Sequence, residues 1–262
     1  YDPIEMRSSW VNPWDAKNTA VIEFSTLPNT HYVHQASLSF IGDVGAGITT
    51  LRDGVEPHPV WLNGAPLETR NALAEAFPTD EVWGPAAICD EINKLLPDGA
   101  IAAVDTGAHR ILLSSVWRAK QPHTLIQSSA LCTMGCALPL ATGVKLADPD
   151  RPAVAFTGDA GLEMVLGELA TLRDLKLPVV VVVFVDASLA LIEMKQRASG
   201  MDNLGVDFGK TDFAAVARAL GGIGVDVDNR ANLSSAVRTG LEADTFTVIA
   251  AHIDRTAYDG RI

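Results

Sequence analysis

Residues 153–188 read AVAFTGDAGLEMVLGELATLRDLKLPVVVVVFVDAS, and the reading of this stretch decides the fold. Its first residues, 153–157, form an apolar run of strand character. Residues 162–175 carry a helical pattern, and 179–185 are almost pure valine before Asp186. A valine run of that kind fits a strand buried on both faces, as in a parallel sheet. The stretch is therefore one strand–helix–strand unit, with a lone carboxylate at the end of each strand, Asp159 and Asp186.

The same alternation extends outward. A helix is expected over 83–96, with apolar Ile88, Ile92 and Leu95, then a strand at 100–104 and a helix around 110–119. A short strand fits 124–127, and a helix of small residues fits 133–147. Beyond the central unit come helices at 189–197 and 212–220, a strand near 223–227, a helix at 231–242 and a last strand at 246–253. Such alternation predicts an α/β fold with a doubly wound parallel sheet. Upstream, strands are expected at 19–25 and 38–42 and a helix over 43–51. Residues 1–51 thus form a partial α/β piece, too small for a core of its own. The Pro- and Gly-rich segment 52–67 reads as a linker, and 68–262 as the main domain.

Composition narrows the function classes. The 262 residues suffice for a large domain plus part of another. A net charge of −12 without a Lys/Arg cluster argues against nucleic acid and anionic membranes as partners. The longest apolar run is broken by Pro178 and closed by Asp186, well short of a membrane span. Three cysteines, Cys89, Cys132 and Cys136, read as reduced thiols of a cytoplasmic protein. The spacing of Cys132 and Cys136 fits one helical face, but no second pair follows to complete a zinc site.

In a doubly wound sheet, ligands bind outside the carboxyl ends of the strands. Three polar turns fall there: Thr106-Gly107-Ala108-His109, Gly158-Asp159-Ala160-Gly161 and Asp186-Ala187-Ser188. Gly158 allows a tight exit from the strand, Gly161 allows close approach of a ligand, and the following helix start favours phosphate. A carboxylate beside a phosphate is repulsive, and a divalent cation resolves the conflict. Mg²⁺ takes one or two carboxylates together with phosphate oxygens, so Asp159, Asp186 and the carbonyl of Ser188 are the candidate ligands. The plainer alternative makes Asp159 a helix cap and Asp186 a turn residue.

Several segments together carry a family resemblance. GDAGLEMVLGELATLRDLKLPVVVVVFVDAS resembles the thiamin diphosphate motif of the acetolactate synthase and pyruvate oxidase superfamily, with Gly158, Asp159, Glu168, Leu169, Ala170, Thr171, Leu177 and Pro178 matching. SALCTMGCALP, at 129–139, resembles that family's SGGLGTMGFGLP segment, and Gly107-Ala108-His109 its GQH. YDPIEMRSSWVNP and FIGDVGAGITTL resemble the second half of its central domain. Val206-Asp207-Phe208-Gly209 and Asp212-Phe213 resemble a C-terminal block of acetolactate synthase-like members.

The resemblance covers essentially the whole chain. It implies half of a central domain over 1–51 and a thiamin diphosphate-binding fold over 68–262. It also implies residue roles. Asp159, Asp186 and Ser188 would hold Mg²⁺. Gly158, the backbone of Ala160 and Gly161, and His109 would surround the diphosphate. Met134 would wedge under the bent cofactor, and backbone groups of Cys132 and Met134 would meet the aminopyrimidine. Leu191, Ile192 and Lys195 would face the substrate pocket.

The sequence departs from the motif at three places. Ala160 stands for a glycine, where a positive φ would be costly. Asp186 stands for an asparagine, and so does Val185 before it. The flavin signal is divided: Phe24-Ser25 stands where flavin-binding relatives tend to carry an Asp, while Asp43 matches.

The resemblance further implies a glutamate, on a separate pyrimidine-binding domain, that activates the cofactor. No segment of this sequence resembles that domain. The expectation is a chain carrying the diphosphate half of an active site, completed by a pyrimidine-binding domain on another chain or segment within a homo- or hetero-oligomer. The implied activity is decarboxylation of a small 2-oxo acid and transfer of the resulting acyl-anion equivalent. A simple decarboxylase or carbon–carbon lyase, a non-catalytic thiamin diphosphate-binding paralogue, and a flavodoxin-like nucleotide-binding module without thiamin are the alternatives.

Overall fold

The computed structural model describes residues 14–15, 17–29, 36–56, 64–128 and 131–262. The YDPIEMRSSWVNP segment, and Ser129 and Ala130 of the SALCTMG segment, lie outside the described residues. The chain divides into two compact units, Tyr1–Glu68 and Thr69–Ile262.

In the first unit Ile22–Ser25 (β1) and Leu38–Ile41 (β2) pair in parallel, with Phe24 opposite Phe40. Val44–Asp53 forms α1. This helix starts where it does because the Asp43 carboxylate accepts a hydrogen bond from the Ala46 N–H at 2.6 Å. The residue behind half of the flavin signal is thus engaged as a helix cap. No residue of α1 is buried, and Leu38, Phe40, Ile41 and Ile48 are each about half exposed.

Ala65–Ala76 forms a second helix, α2, which begins inside the segment read as a linker. Its alanines, leucines and glutamates are good helix formers and Pro66 sits in the first turn, where proline is tolerated. The Pro/Gly-rich run just upstream hid it in the sequence.

The second unit is built on Ile101–Val104 (β3), Leu125–Gln127 (β4), Ala153–Gly158 (β5), Val180–Val185 (β6), Ile223–Val227 (β7) and Thr247–His252 (β8). All six are parallel, in the order β4-β3-β5-β6-β8-β7. Pro85–Leu95 (α3), Ala108–Val116 (α4), Ala137–Ala147 (α5), Asp159–Met164 (α6), Glu168–Leu175 (α7), Ala190–Ala198 (α8), Phe213–Ala219 (α9) and Arg230–Glu242 (α10) alternate with them.

Successive side chains of a strand point to opposite faces, and both faces are covered. On one, Val104, Phe156, Val182 and Ile249 pack with Ile88 and Ile92 of α3 and Leu233 and Val237 of α10. On the other, Ala155, Val181, Val183 and Val248 pack with Leu138 of α5, Leu172 of α7 and Phe213 of α9. Every residue of β6 is buried, which is why that strand is nearly all valine. The doubly wound parallel sheet expected from the sequence is what forms.

Two expected helices differ. The helix expected over 162–175 is two, α6 and α7, separated by Val165–Gly167. The helix expected over 133–147 starts only at Ala137, because Gly135 (φ 77°) and Cys132 (φ 49°) hold left-handed backbone. Cys132 and Cys136 therefore do not share a helical face, and none of the three cysteines forms a disulfide. Among the described residues no helix is long and apolar enough to cross a membrane.

Candidate functional site

From β3 the chain passes to β4 on one side of the sheet and then returns to β5 on the other. The carboxyl ends of β3 and β5 thus bound a topological switch point, the place where doubly wound sheets bind ligands. A cleft lies there, with β6 as the next strand. Thr106, Gly107 and His109 line it from the end of β3, Gly158–Gly161 from the end of β5, and Asp186 and Ser188 from the end of β6. Met134, Leu191, Ile192 and Tyr258 complete the walls. Of the residues singled out in the sequence, Cys132 and Lys195 do not line it. Lys195 is exposed on α8, and the Cys132 N–H donates to Ser128 Oγ at 3.2 Å.

The two carboxylates meet through the backbone. Asp159 Oδ2 accepts from the N–H groups of Asp186 (3.1 Å) and Ala187 (2.7 Å), and Oδ1 from Ala160 N–H at 2.8 Å. Asp159 is the first residue of α6, and its carboxylate accepts from Ala160 N–H of its own helix as well as from the neighbouring loop; the cap position is Gly158, without a side-chain bond. Asp186 does make the plain turn, accepting from Ser188 N–H at 2.9 Å. The loop carries backbone strain: Ala187 sits at φ 56°, costing about 1–2 kcal/mol for a residue with a Cβ. Ala160, in helical α6, is not among the positive-φ residues, so its replacement of glycine costs no strain. Its N–H, however, is already occupied by Asp159.

Burial raises the pKa of Asp159, partly offset by its three backbone donors. Asp186 is pushed up to about 7, first by burial and then by the charge of Asp159. Two partly desolvated carboxylates without a bonded cationic side chain are what a divalent cation relieves. Ser188 Oγ and Thr106 Oγ1 are buried and lack hydrogen-bond partners, further polar atoms at the same place. Among the described residues no cluster of three or more His, Cys, Asp or Glu could hold a metal. Two carboxylates with a backbone oxygen would fit Mg²⁺ shared with phosphate and would not make an all-protein cage.

A third carboxylate was not singled out in the sequence. Asp105, at the end of β3, is 1% exposed. Its Oδ1 lies 2.8 Å from His109 Nε2, and its Oδ2 accepts from Gly135 N–H and Thr157 Oγ1–H, each at 2.7 Å. It ties together the ends of β3 and β5 and the loop that carries Met134. It also explains a glycine: a Cβ at Gly161 would lie 2.4 Å from Asp105 Oδ2 and 2.7 Å from Thr157 Oγ1. The absence of a side chain at 161 is required by this network beneath the cleft, in addition to any ligand above it. The spacing of Asp105 and His109, one helical turn apart just after a strand, was the available signal. Tyr258, in the segment after β8, had none.

With this geometry in place, the relatives take on meaning. Residues 105–251 match the thiamine pyrophosphate enzyme family, C-terminal TPP binding domain. The match spans more than half of the chain, and the chain belongs to that family. It is similar to acetolactate synthase of Bacillus subtilis, 27% identical over 97% of this chain and 46% of the relative. It is also similar to the acetolactate synthase large subunit of Parasynechococcus marenigrum, 30% identical over 84% of this chain and 37% of the relative. The chain is thus similar to the acetolactate synthases and spans about half the length, or less, of these curated relatives.

Proposed function

We propose that this chain is the diphosphate- and Mg²⁺-binding part of a thiamin diphosphate-dependent enzyme that decarboxylates a small 2-oxo acid and transfers the acyl unit to an acceptor. The observation that carries the reading is the pair Asp159 and Asp186, partly desolvated and without a bonded cationic side chain at the switch-point cleft. Asp159, Asp186 and the Ser188 carbonyl would hold Mg²⁺. Asp159 also keeps the cation loop in its strained form through Asp186 N–H and Ala187 N–H. Gly161 and His109 would bound the diphosphate, Met134 the rings, and Leu191 and Ile192 the substrate. When bound, the cofactor supplies the electron sink that decarboxylation of a 2-oxo acid needs. The chain's own part is to orient it and to present an apolar, water-poor wall.

The cleft has a volume of about 120 Å³, against about 300–1,000 Å³ for pockets that enclose a drug-sized ligand. This supports a half-site, closed by a pyrimidine-binding domain on another chain or segment in an oligomer. The compartment this reading assigns is the cytoplasm, supported by three cysteines that form no disulfide.

The test is calorimetric titration of the chain with thiamin diphosphate, with and without Mg²⁺. Binding that requires Mg²⁺ supports the assignment; Mg²⁺-independent binding or none overturns it. With a pyrimidine-binding partner supplied, release of carbon dioxide with a new carbon–carbon bond marks a carboligase. Release without one marks a decarboxylase, and no turnover marks a non-catalytic paralogue.

A further inference from the structure

We propose that Asp105 decides which nitrogen of His109 meets a ligand, holding the neutral ring as the Nε2–H tautomer so that Nδ1 faces the cleft as an acceptor. The inference rests on reading the cleft as a diphosphate site and adds a positioning residue to it.

Asp105 is a carboxylate with three partners. Two lie on Oδ2: the Gly135 N–H, which can only donate, and the Thr157 hydroxyl, which is closer to Oδ2 at 2.7 Å than to its other acceptor, the Gly158 carbonyl, at 3.1 Å. The third is His109 Nε2 on Oδ1 at 2.8 Å. A carboxylate oxygen accepts, so Nε2 donates and a neutral ring keeps its lone pair on Nδ1. Both side chains are nearly sealed, at 0% and 5% exposure, and water does not compete for the bond.

The ring is held this way round by Asp105, since turning it over would put a carbon in place of Nε2 and leave the buried Oδ1 without its partner. It stacks on Phe184 with centroids 5.2 Å apart and planes 18° apart. The Nδ1 edge runs along a wall bared by glycine: a Cβ at Gly107 would lie 2.6 Å from Nδ1, and one at Gly158 3.7 Å. Both glycines line the cleft. No described residue hydrogen-bonds Nδ1. The other titratable groups on the cleft wall, Asp159, Asp186 and Tyr258, do not bond the ring either.

A neutral His109 therefore offers a diphosphate oxygen a lone pair rather than a proton. Asp105→Asn reverses this with little change of shape. The amide oxygen still accepts from Gly135 and Thr157, while the amide N–H₂ donates to Nε2 and moves the ring proton to Nδ1.

The experiment is ¹⁵N NMR of the full chain with labelled histidine, at a pH raised until the ring signals no longer change. His109→Gln identifies the signal. The expected result is Nε2–H in the wild type, Nδ1–H in Asp105→Asn and Nε2–H in Thr157→Val, which loses a donor to Asp105 but keeps the ring pair. Nδ1–H in the wild type overturns the inference and needs no variant to fold. So does an unchanged tautomer in Asp105→Asn, or the same switch in Thr157→Val.

The same samples are titrated with magnesium diphosphate. The variant, now presenting an N–H to the anion, is expected to bind about tenfold more tightly at this pH. Wild-type affinity in a variant whose tautomer has switched overturns the functional end of the inference. Failure of the wild type to bind magnesium diphosphate sinks the cofactor assignment instead, and leaves the tautomer result to be judged separately.

Discussion

The two units of this chain contain the same kinds of element and use them differently. In the first, two parallel strands and a helix leave Leu38, Phe40, Ile41 and Ile48 about half exposed, and no residue of α1 is buried. In the second, six strands covered on both faces bury every residue of β6 and nearly every residue of β5. Apolar content is not the difference, since VIEFS and LSFI are as apolar as many core strands. The difference is the number of layers: a sheet face becomes core only when something covers it. The lesson extends to the site, because a carboxylate can be desolvated only where a complete layer structure stands behind it.

Stability should divide along this line. Phe156→Ala, in the centre of the large sheet, is expected to lower unfolding free energy by about 3–5 kcal/mol, measured by urea denaturation. Ile48→Ala, on the exposed face of α1, should change it by less than about 0.5 kcal/mol. Equal losses would mean that the first unit has a core of its own and would break the comparison.

The next effect concerns ligand rather than fold. Asp159→Ala removes a proposed Mg²⁺ ligand together with the acceptor for Asp186 N–H and Ala187 N–H. Mg²⁺-dependent affinity for thiamin diphosphate should fall by about 100-fold or more, read by calorimetry. Unchanged affinity would remove the metal assignment.

A smaller effect follows from the raised pKa of Asp186. A carboxyl whose pKa is near 3.8 unfolded and about 7 folded binds its proton more tightly in the native state. Its contribution is fully present below the lower value and is lost as pH rises through the upper one. Without divalent cation, the urea midpoint should therefore decline between pH 4 and 7. Saturating Mg²⁺, which favours the ionised pair, should flatten that decline, and a decline that persists unchanged in Mg²⁺ would argue against cation binding between the carboxylates.

Least of all, Met134→Ala should weaken thiamin diphosphate binding by a few-fold, on the order of 1 kcal/mol, and leave inorganic diphosphate binding unchanged. Equal loss for both ligands would make Met134 a support of the loop rather than a contact for the rings.

Much of this was legible in the residues. The valine run 179–185 is β6, and the two acidic strand ends lie on one cleft because a strand–helix–strand unit returns both ends to the same sheet edge. The break between α6 and α7 was not legible, since the apolar spacing of Leu162, Leu169 and Leu172 continues across it. Helix α2 was hidden by the prolines and glycines before it. Cys132 was read as sharing a helical face with Cys136 from their spacing alone, and only the backbone shows it at a positive φ. Lys195 was placed by position on α8 and shares a helical face with Leu191, but it lies a turn further along and is exposed, outside the cleft that Leu191 and Ile192 line.

The sequence by itself determined the class of fold and the positions of Asp159, Asp186 and His109 at strand ends. Both are carried by local periodicity and by turns, which neighbouring residues specify. Only the tertiary structure decided that Asp105 binds His109, Gly135 and Thr157 at once, that Gly161 is a glycine to make room for that network, and that Tyr258 reaches the cleft. Apart from the Asp105–His109 pair, four residues apart, these contacts join segments 30 and 52 residues apart in the Asp105 network and farther still for Tyr258, and strand order and packing set them rather than any pattern of neighbours along the chain.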